Sequence, residues 1–221
     1  MKIIFSLLFT IIFSYLLGSL NSAIIVCKIM KKKDVRDYGS GNAGLTNVLR
    51  VFGKSAALVT LLCDLAKGII AVLFCRFIVT DCFDIMFFND SRFIGYVAGI
   101  SVMIGHIFPV FYSFHGGKGV LIAATTLIAI DPLTCLFSVT VFAIVLALTK
   151  YVSVGSISAA VVYPILTFIT QKYILKIGDG VIENTIMALI IGAIITYMHR
   201  SNIKRLINGT ENKFGQKKKT E

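Results

Sequence analysis

The residues with the clearest chemical potential lie between positions 39 and 50, in the segment GSGNAGLTNVLR. Glycines at 39, 41 and 44 permit positive φ and let backbone N–H groups approach an anion, and the Arg50 guanidinium suits phosphate oxygens. A flexible turn explains the glycines but not the crowded polar side chains. This first glycine segment therefore predicts a phosphate site, with the candidate residues Ser40, Gly41, Asn42, Thr46, Asn47 and Arg50.

A second glycine segment, residues 116–119, reads GGKG and precedes a short apolar run. Glycines before a helix N-terminus offer N–H groups and a positive dipole end to an anion, and Lys118 adds a charge. The nucleotide-binding P-loop pattern is not met, because Gly119 follows the lysine and Tyr112 stands where that pattern needs its first glycine. Lys118 can also be read as a basic flank of a span. We predict anion binding by Gly116, Gly117 and Lys118 without nucleotide hydrolysis.

A third polar segment, residues 199–213, follows the last apolar run and begins His199-Arg200-Ser-Asn202. An imidazole beside fixed positive charge and an amide suits a phosphorylated polyol or a hydroxyl. A membrane-boundary His-Arg pair is as often a stop-transfer flank. Ser153 and Ser156 lie at the start of the sixth apolar segment, residues 152–171, and they are interpreted as helix caps or as donors to substrate.

Other chemistry is disfavoured by what the sequence lacks. It has no G-x-S-x-G or H-E-x-x-H pattern and no carboxylate cluster, so we expect no metal and no cofactor. Asp64 and Lys67 lie three residues apart within an apolar run, where a structural ion pair is favoured over a catalytic role. A transfer reaction here must depend on positioning, on charge stabilisation and on an already activated donor.

Composition indicates a membrane protein, since 57% of the 221 residues are hydrophobic and 15% are charged. The net charge of +11 favours anionic phospholipids and phosphorylated substrates, and no nucleic-acid-binding module is visible. The five cysteines lie mostly in apolar runs and are interpreted as buried hydrophobic residues. A signal peptide at the N-terminus is disfavoured because the apolar run resumes at residues 23–26.

The predicted fold is all-α, a polytopic membrane protein with about seven transmembrane helices. The fourth apolar segment has 12 residues and would rise about 18 Å, too little for a hydrocarbon core of about 30 Å, and Asp131-Pro132 separates it from the fifth. We predict one transmembrane catalytic domain over residues 1–208 and a loosely ordered, charged cytosolic tail over 209–221. The apolar segments are 3–28, 55–79, 93–114, 119–130, 133–149, 152–171 and 182–198.

The distribution of Lys and Arg predicts the orientation. With the N-terminus outside, 16 of these residues fall in inside connections and 5 fall outside, which favours an N-out, C-in topology. The three polar segments would then all face the cytosol.

The three polar segments together resemble the bacterial acyl-phosphate-dependent glycerol-3-phosphate acyltransferase family, PlsY. The family pattern has a G-S-G-N-x-G-A-T-N-V-x-R loop, a G-H-x-F-P-x-F-x-x-F-K-G-G-K-G loop and an H-R-x-N-I-x-R-L-x-x-G-x-E terminus. The resemblance covers nearly all of the chain to residue 213. This sequence departs from the pattern at Leu45, where alanine is usual, at His115, where lysine is usual, and at Asn21, where proline is common.

The resemblance implies a seven-helix enzyme in the plasma membrane of a bacterium. It would move a fatty acyl group from acyl-phosphate to the 1-hydroxyl of sn-glycerol 3-phosphate, giving lysophosphatidate and phosphate in the first step of phospholipid synthesis. An acyl-phosphate-producing enzyme is an implied partner. By the same resemblance, Ser40, Arg50, Lys118, His199 and Asn202 would hold glycerol 3-phosphate, and Thr46, Asn47, Gly116 and Ser156 would line the acyl-phosphate head. The remaining substrate-binding candidates are Gly41, Asn42, Gly117, Ser153 and Arg200.

Two other classes of protein compete with an acyltransferase. A transporter or flippase of a phosphorylated metabolite would also use basic clusters and a broken helix, but no inverted repeat is evident and the polar residues gather on one side of the membrane. A structural membrane subunit would not need the three polar segments. The enzyme is therefore the favoured reading.

Cysteine labelling tests the predicted orientation. In a background without the native cysteines, Asp84→Cys should react with an impermeant reagent added to intact cells. Asp37→Cys and Lys213→Cys should react only after permeabilisation. Reaction of the probe at 213 in intact cells would invert the topology.

Overall fold

The computed structural model describes residues 1–215, and its regular elements are helical, apart from an isolated bridge between Phe87 and Asp90. The all-α prediction is confirmed. Short 3-10 turns lie at Val35–Asp37 and Val110–Tyr112, and π-helical turns follow α3 and α7 at Phe77–Cys82 and Thr170–Ile174. The α-helices are α1 Lys2–Ser19, α2 Ser22–Lys31, α3 Leu45–Arg76, α4 Arg92–Ile107, α5 Val120–Ile130, α6 Pro132–Thr149, α7 Val152–Ile169, α8 Val181–Met198 and α9 Arg200–Ile207.

Six stretches within residues 1–215 are long and apolar enough to cross a membrane, and α5 is a seventh, shorter apolar helix. The short fourth segment and the break at Asp131-Pro132 are confirmed. Proline at the first position of α6 suits its fixed φ and missing N–H. The six long stretches are Lys2–Lys31, Leu45–Cys82, Arg92–Tyr112, Pro132–Thr149, Val152–Ile174 and Val181–Met198.

The first predicted apolar segment, 3–28, lies within one candidate span but contains two helices, α1 and α2. It is divided at residues 20–21, where the Asn21 side chain accepts a hydrogen bond of 3.1 Å from the backbone N–H of Ile24. Asparagine is a favoured N-cap because its side chain satisfies a first-turn N–H. The chain therefore leaves α1 and starts α2 within the same apolar run.

The second predicted segment also has a different start. α3 begins at Leu45 instead of residue 55, inside the first glycine segment, and Gly53 interrupts it with φ 84° and ψ −174°. Glycine adopts this positive φ without the steric cost of a Cβ. Residues 45–52 therefore form a short helical stretch that carries Thr46, Asn47 and Arg50 before the long apolar part begins.

The chain forms two compact units, residues 1–131 and residues from Pro132 onward. In the first unit α4 packs on α1, α3 and α5. A Cβ on Gly18 of α1 would overlap the Val102 carbonyl of α4, and one on Gly105 would overlap the Tyr15 carbonyl of α1. Small residues allow membrane helices to approach at backbone distance, so these two glycines set the α1–α4 contact.

In the second unit α7 packs on both α6 and α8. Gly155 of α7 lies against the Phe142 side chain, and Gly192 of α8 lies against the Ala160 carbonyl. The candidate polar residues of this unit lie at the start of α7 and after the end of α8.

Candidate active site

The approach to the first glycine segment is fixed by a charged turn. Asp34 caps the 3-10 turn by accepting from the Arg36 N–H, and its carboxylate pairs with the Arg36 guanidinium at 2.9 Å. These hydrogen bonds and the charge of Arg36 lower the pKa of Asp34 to about 2. Arg36 also donates to the Tyr112 carbonyl at 2.9 Å, so the turn is tied to the connection that leads to the second glycine segment.

The buried Asn47 side chain hydrogen-bonds to the backbone of the first glycine segment and of the turn before it. Its side-chain oxygen accepts from the Ser40 N–H at 3.0 Å, and its amide donates to the carbonyls of Tyr38 at 2.9 Å and Val35 at 3.2 Å. The residue is 1% exposed. Its polar atoms support the loop, and contact of Asn47 with the acyl-phosphate remains a prediction.

One glycine of the first segment lacks the expected positive φ, and four glycine N–H groups already donate within the protein. Gly39 and Gly41 have positive φ, but Gly44 has φ −149°. The N–H of Gly41 donates to Tyr38, and that of Gly44 donates to Asn42. In the second segment, Gly116 donates to Ile107 at 3.0 Å and Gly117 donates to His106 at 3.1 Å. These four N–H groups therefore maintain the loops, and contact of Gly41, Gly116 and Gly117 with substrate remains a prediction.

The two glycine segments are hydrogen-bonded to each other. The Ala43 N–H donates to the Gly116 carbonyl at 3.4 Å. Asn21 approaches the Ala43 carbonyl at 3.4 Å and the His106 carbonyl at 3.5 Å with its amide nitrogen. The sequence did not predict that Asn21 would join the first glycine segment to the end of α4, although asparagine before an apolar helix is a recognised N-cap signal.

The side chains of the first unit that suit phosphate differ in exposure. Ser40 and Arg50 are exposed, and Thr46 and Lys118 are half-buried. Within residues 1–215 the Arg50 guanidinium has no hydrogen bond or ion pair to the protein, so its fork is available to an anion. His115 is exposed, and its Nδ1 lies 2.5 Å from the Ser113 carbonyl oxygen.

In the second unit, His199 sits where α8 ends and α9 begins. It is 4% exposed, and its Nδ1 lies 2.8 Å from the Ile195 carbonyl oxygen. Because a carbonyl can only accept, Nδ1 carries a proton and donates it to Ile195. Arg200 is exposed and stacks on the Tyr197 ring, with Cζ 4.6 Å from the ring centroid.

Glu211 organises the polar residues of the second unit, although it lies in the predicted loose tail. One carboxylate oxygen accepts from Ser153 at 2.9 Å and from Asn202 at 2.6 Å, and the other accepts from Arg205 at 2.6 Å. Burial opposes ionisation, but the three hydrogen bonds outweigh it, and the pKa of Glu211 lies below its ordinary value. Residues 209–214 are thus attached to α7 and α9, and residues 216–221 lie outside the described range.

Neither predicted serine caps α7. The N-cap position is Tyr151, without a side-chain hydrogen bond, and Ser156 donates to the Val152 carbonyl at 2.9 Å. Both serines are buried, and Ser153 binds Glu211 instead. The cap interpretation is therefore wrong, and contact of either serine with substrate remains a prediction.

The chain is similar to known proteins over most of its length, including the three polar segments. The family model described as glycerol-3-phosphate acyltransferase matches residues 8–209. The chain belongs to the glycerol-3-phosphate acyltransferase family. A glycerol-3-phosphate acyltransferase of Clostridioides difficile (strain 630) is 41% identical over 215 residues, covering 97% of this chain and 98% of the relative. One from Thermoanaerobacter pseudethanolicus is also 41% identical, covering 94% of this chain and 96% of its own.

Two solved structures of PlsY (YgiH), an integral membrane glycerol 3-phosphate acyltransferase, share this fold. The glycerol 3-phosphate form has a TM-score of 0.79 and the lysophosphatidic acid form one of 0.77. Both are 34% identical to this chain and cover 95% of it, with 96% of their own length matched. This member of the glycerol-3-phosphate acyltransferase family is therefore a multi-pass integral membrane enzyme, which confirms the resemblance.

Glu211→Gln should destabilise the second unit, because the amide cannot supply the charge and the acceptors that Arg205, Asn202 and Ser153 use. We expect a loss of about 2 kcal/mol, measured as a lower thermal midpoint in detergent. Because the folded pKa is depressed, the contribution of Glu211 is present above its unfolded pKa of about 4.3 and is lost as the pH falls through the folded value. The wild-type midpoint should approach that of the variant in acid.

Glu183→Gln, a half-buried glutamate in the first turn of α8, is the matched control and should change the midpoint little. Equal midpoints for Glu211→Gln and wild type at neutral pH would contradict the role of the Glu211 carboxylate.

Proposed function

We propose that this enzyme takes its acyl group from acyl-phosphate and delivers it to the 1-hydroxyl of sn-glycerol 3-phosphate, forming lysophosphatidate in a bacterial plasma membrane. The observation that carries the proposal is the hydrogen bond between Ala43 and Gly116, because it brings the two glycine segments together within one unit. Each segment contributes one basic side chain, Arg50 or Lys118. Two phosphorylated substrates bring several negative charges, and two basic side chains offset part of that charge.

In this proposal Ser40, Arg50 and Lys118 bind the phosphate of glycerol 3-phosphate. Arg50 is exposed and without a protein partner in residues 1–215, so binding phosphate does not require it to break an ion pair. The first-turn N–H groups of α3 and α5 are the remaining backbone donors for phosphate oxygens. Thr46, in the first turn of α3, is assigned to the acyl-phosphate.

In the second unit, His199 and Asn202 are assigned to glycerol 3-phosphate. His199 is oriented by the Ile195 carbonyl, so the direction of its imidazole is set by its own helix. Asn202 is held by Glu211, so the amide is fixed before substrate arrives. Such fixed groups lower the entropy lost on binding.

The chemical step is attack of the glycerol hydroxyl on the acyl carbon. A carbon–oxygen ester bond forms, the bond between the acyl carbon and the phosphate oxygen breaks, and phosphate leaves with the electron pair. We assign the hydroxyl proton to a phosphate oxygen of the substrate. Arg50 and Lys118 stabilise the charge that develops as phosphate departs. An acyl-phosphate-producing enzyme is the implied source of the donor.

Release of phosphate from palmitoyl-phosphate by the purified protein, with and without glycerol 3-phosphate, tests the donor. We expect release that depends on glycerol 3-phosphate, with lysophosphatidate formed in equal amount. Palmitoyl-CoA should give no product. Product from palmitoyl-CoA alone would overturn the donor, and the absence of product from any donor, together with uptake of a phosphorylated metabolite into vesicles, would favour the transporter.

Arg50→Ala and Lys118→Ala should each lower product formation at least about 100-fold while the protein still inserts, because each removes a charge aimed at phosphate. The matched control is Lys54→Ala, an exposed lysine four residues beyond Arg50, which should stay near wild type. Wild-type rates in either Arg50→Ala or Lys118→Ala would contradict the proposed phosphate site.

A further inference from the structure

A buried charged cluster in the first unit has no part in the reaction as proposed. Lys67 Nζ lies 2.8 Å from Asp64 Oδ1, and it donates to the carbonyls of Leu20 at 3.1 Å and Gly18 at 3.4 Å. The side chains of Lys67 and Asp64 are 7% and 1% exposed. The pair neutralises itself and satisfies carbonyls at the end of α1, where the helix stops within the apolar run.

His106 of α4 extends this cluster toward the second glycine segment. Its Nδ1 lies 3.2 Å from Lys67 Nζ, and its side chain is 5% exposed. Asp64 Oδ1 lies 3.8 Å from the same nitrogen, and with Lys67 as an ammonium, which has only protons to offer, Nδ1 is the acceptor and a ring proton is placed on Nε2. Lys67 therefore fixes both the tautomer and the orientation of the imidazole.

The opposite edge of the imidazole faces Gly117. A Cβ at position 117 would overlap His106 Nε2, and it would lie 2.9 Å from Cδ2 and 3.0 Å from the Ala43 carbonyl oxygen, so the ring is the main obstacle. The His106 carbonyl also accepts the hydrogen bond from the Gly117 N–H at 3.1 Å. Gly117 is thus in contact with both the ring and the backbone carbonyl of His106. Lys118 follows Gly117 directly, so its backbone position depends on this contact.

We propose that His106 is a positioning residue for phosphate binding: anchored by Lys67, its rigid ring sets Gly117 and thereby aims Lys118 and the start of α5 at the substrate phosphate. This inference rests on the proposed role of Lys118 in phosphate binding. His106 itself does not touch substrate. The same cluster satisfies the break between α1 and α2, so Lys67 couples that break to the second glycine segment.

Two substitutions separate the two edges of the ring. The Asn side chain in His106→Asn keeps an acceptor near the Nδ1 position but is too short to reach Gly117, whereas the longer Gln in His106→Gln reaches the Nε2 position. We expect His106→Asn to raise the KM for glycerol 3-phosphate about tenfold, with a smaller rise for His106→Gln and with kcat within about threefold of wild type. His115→Asn makes the same chemical change at an exposed histidine and should leave the KM unchanged.

Gly117→Ala provides an independent test of the contact. Alone it should raise the KM, because its methyl group meets a rigid ring, and adding His106→Asn should lower the KM again by making room. His106→Gln should relieve the clash in part, since glutamine can bend, and this pair decides the question where the asparagine variant does not fold. Non-additive effects of this kind identify residues in contact.

The outcomes separate this inference from the proposed function. A wild-type KM in folded His106→Asn, or additive defects in the double variant, would refute the positioning role while wild-type activity with glycerol 3-phosphate persists. A wild-type protein that shows no saturable dependence on glycerol 3-phosphate would instead refute the proposed function.

Discussion

The first unit depends on how one ammonium group satisfies a broken helix inside an apolar run. Where α1 ends, carbonyls lack intrahelical partners, and hydrocarbon offers no water to replace them. Lys67 donates to two of these carbonyls, and Asp64 balances its charge. The fourth neighbour of the ammonium, His106, then extends the polar cluster to Gly117. A single buried lysine thereby links α1, α3 and α4 to the second glycine segment.

The two glycine segments are held in place by hydrogen bonds within the protein. Four of their glycine N–H groups are used in main-chain hydrogen bonds, and the amides of Asn47 and Asn21 add side-chain hydrogen bonds. Glycine is needed at 116 and 117 because the His106 backbone and ring occupy the space of a Cβ. This arrangement leaves the charged side chains, Arg50 and Lys118, as the adaptable part of the proposed phosphate site.

In the second unit, the Glu211 carboxylate connects separate elements through hydrogen bonds, as the Lys67 ammonium does in the first unit. Glu211 receives hydrogen bonds from α7 through Ser153 and from α9 through Asn202 and Arg205. Buried charge is costly unless it is paired and hydrogen-bonded, and three donors meet that requirement here. A residue outside the apolar helices thus fixes the amide assigned to glycerol 3-phosphate. The equivalent support for His199 comes from its own helix, through Ile195.

The sequence alone determined the helical membrane class, the approximate spans, the short α5 and the family, because hydropathy and the three motifs are local properties of the chain. The Asp64–Lys67 pair was also predictable, since residues three apart share a helix face. Tertiary structure decided the roles of Asn21, Arg36, His106 and Glu211, whose partners lie far away in sequence or in another element. It also decided which glycine N–H groups are already used, because the hydrogen bonds from Gly116 to Ile107 and from Gly117 to His106 depend on packing that no local pattern encodes.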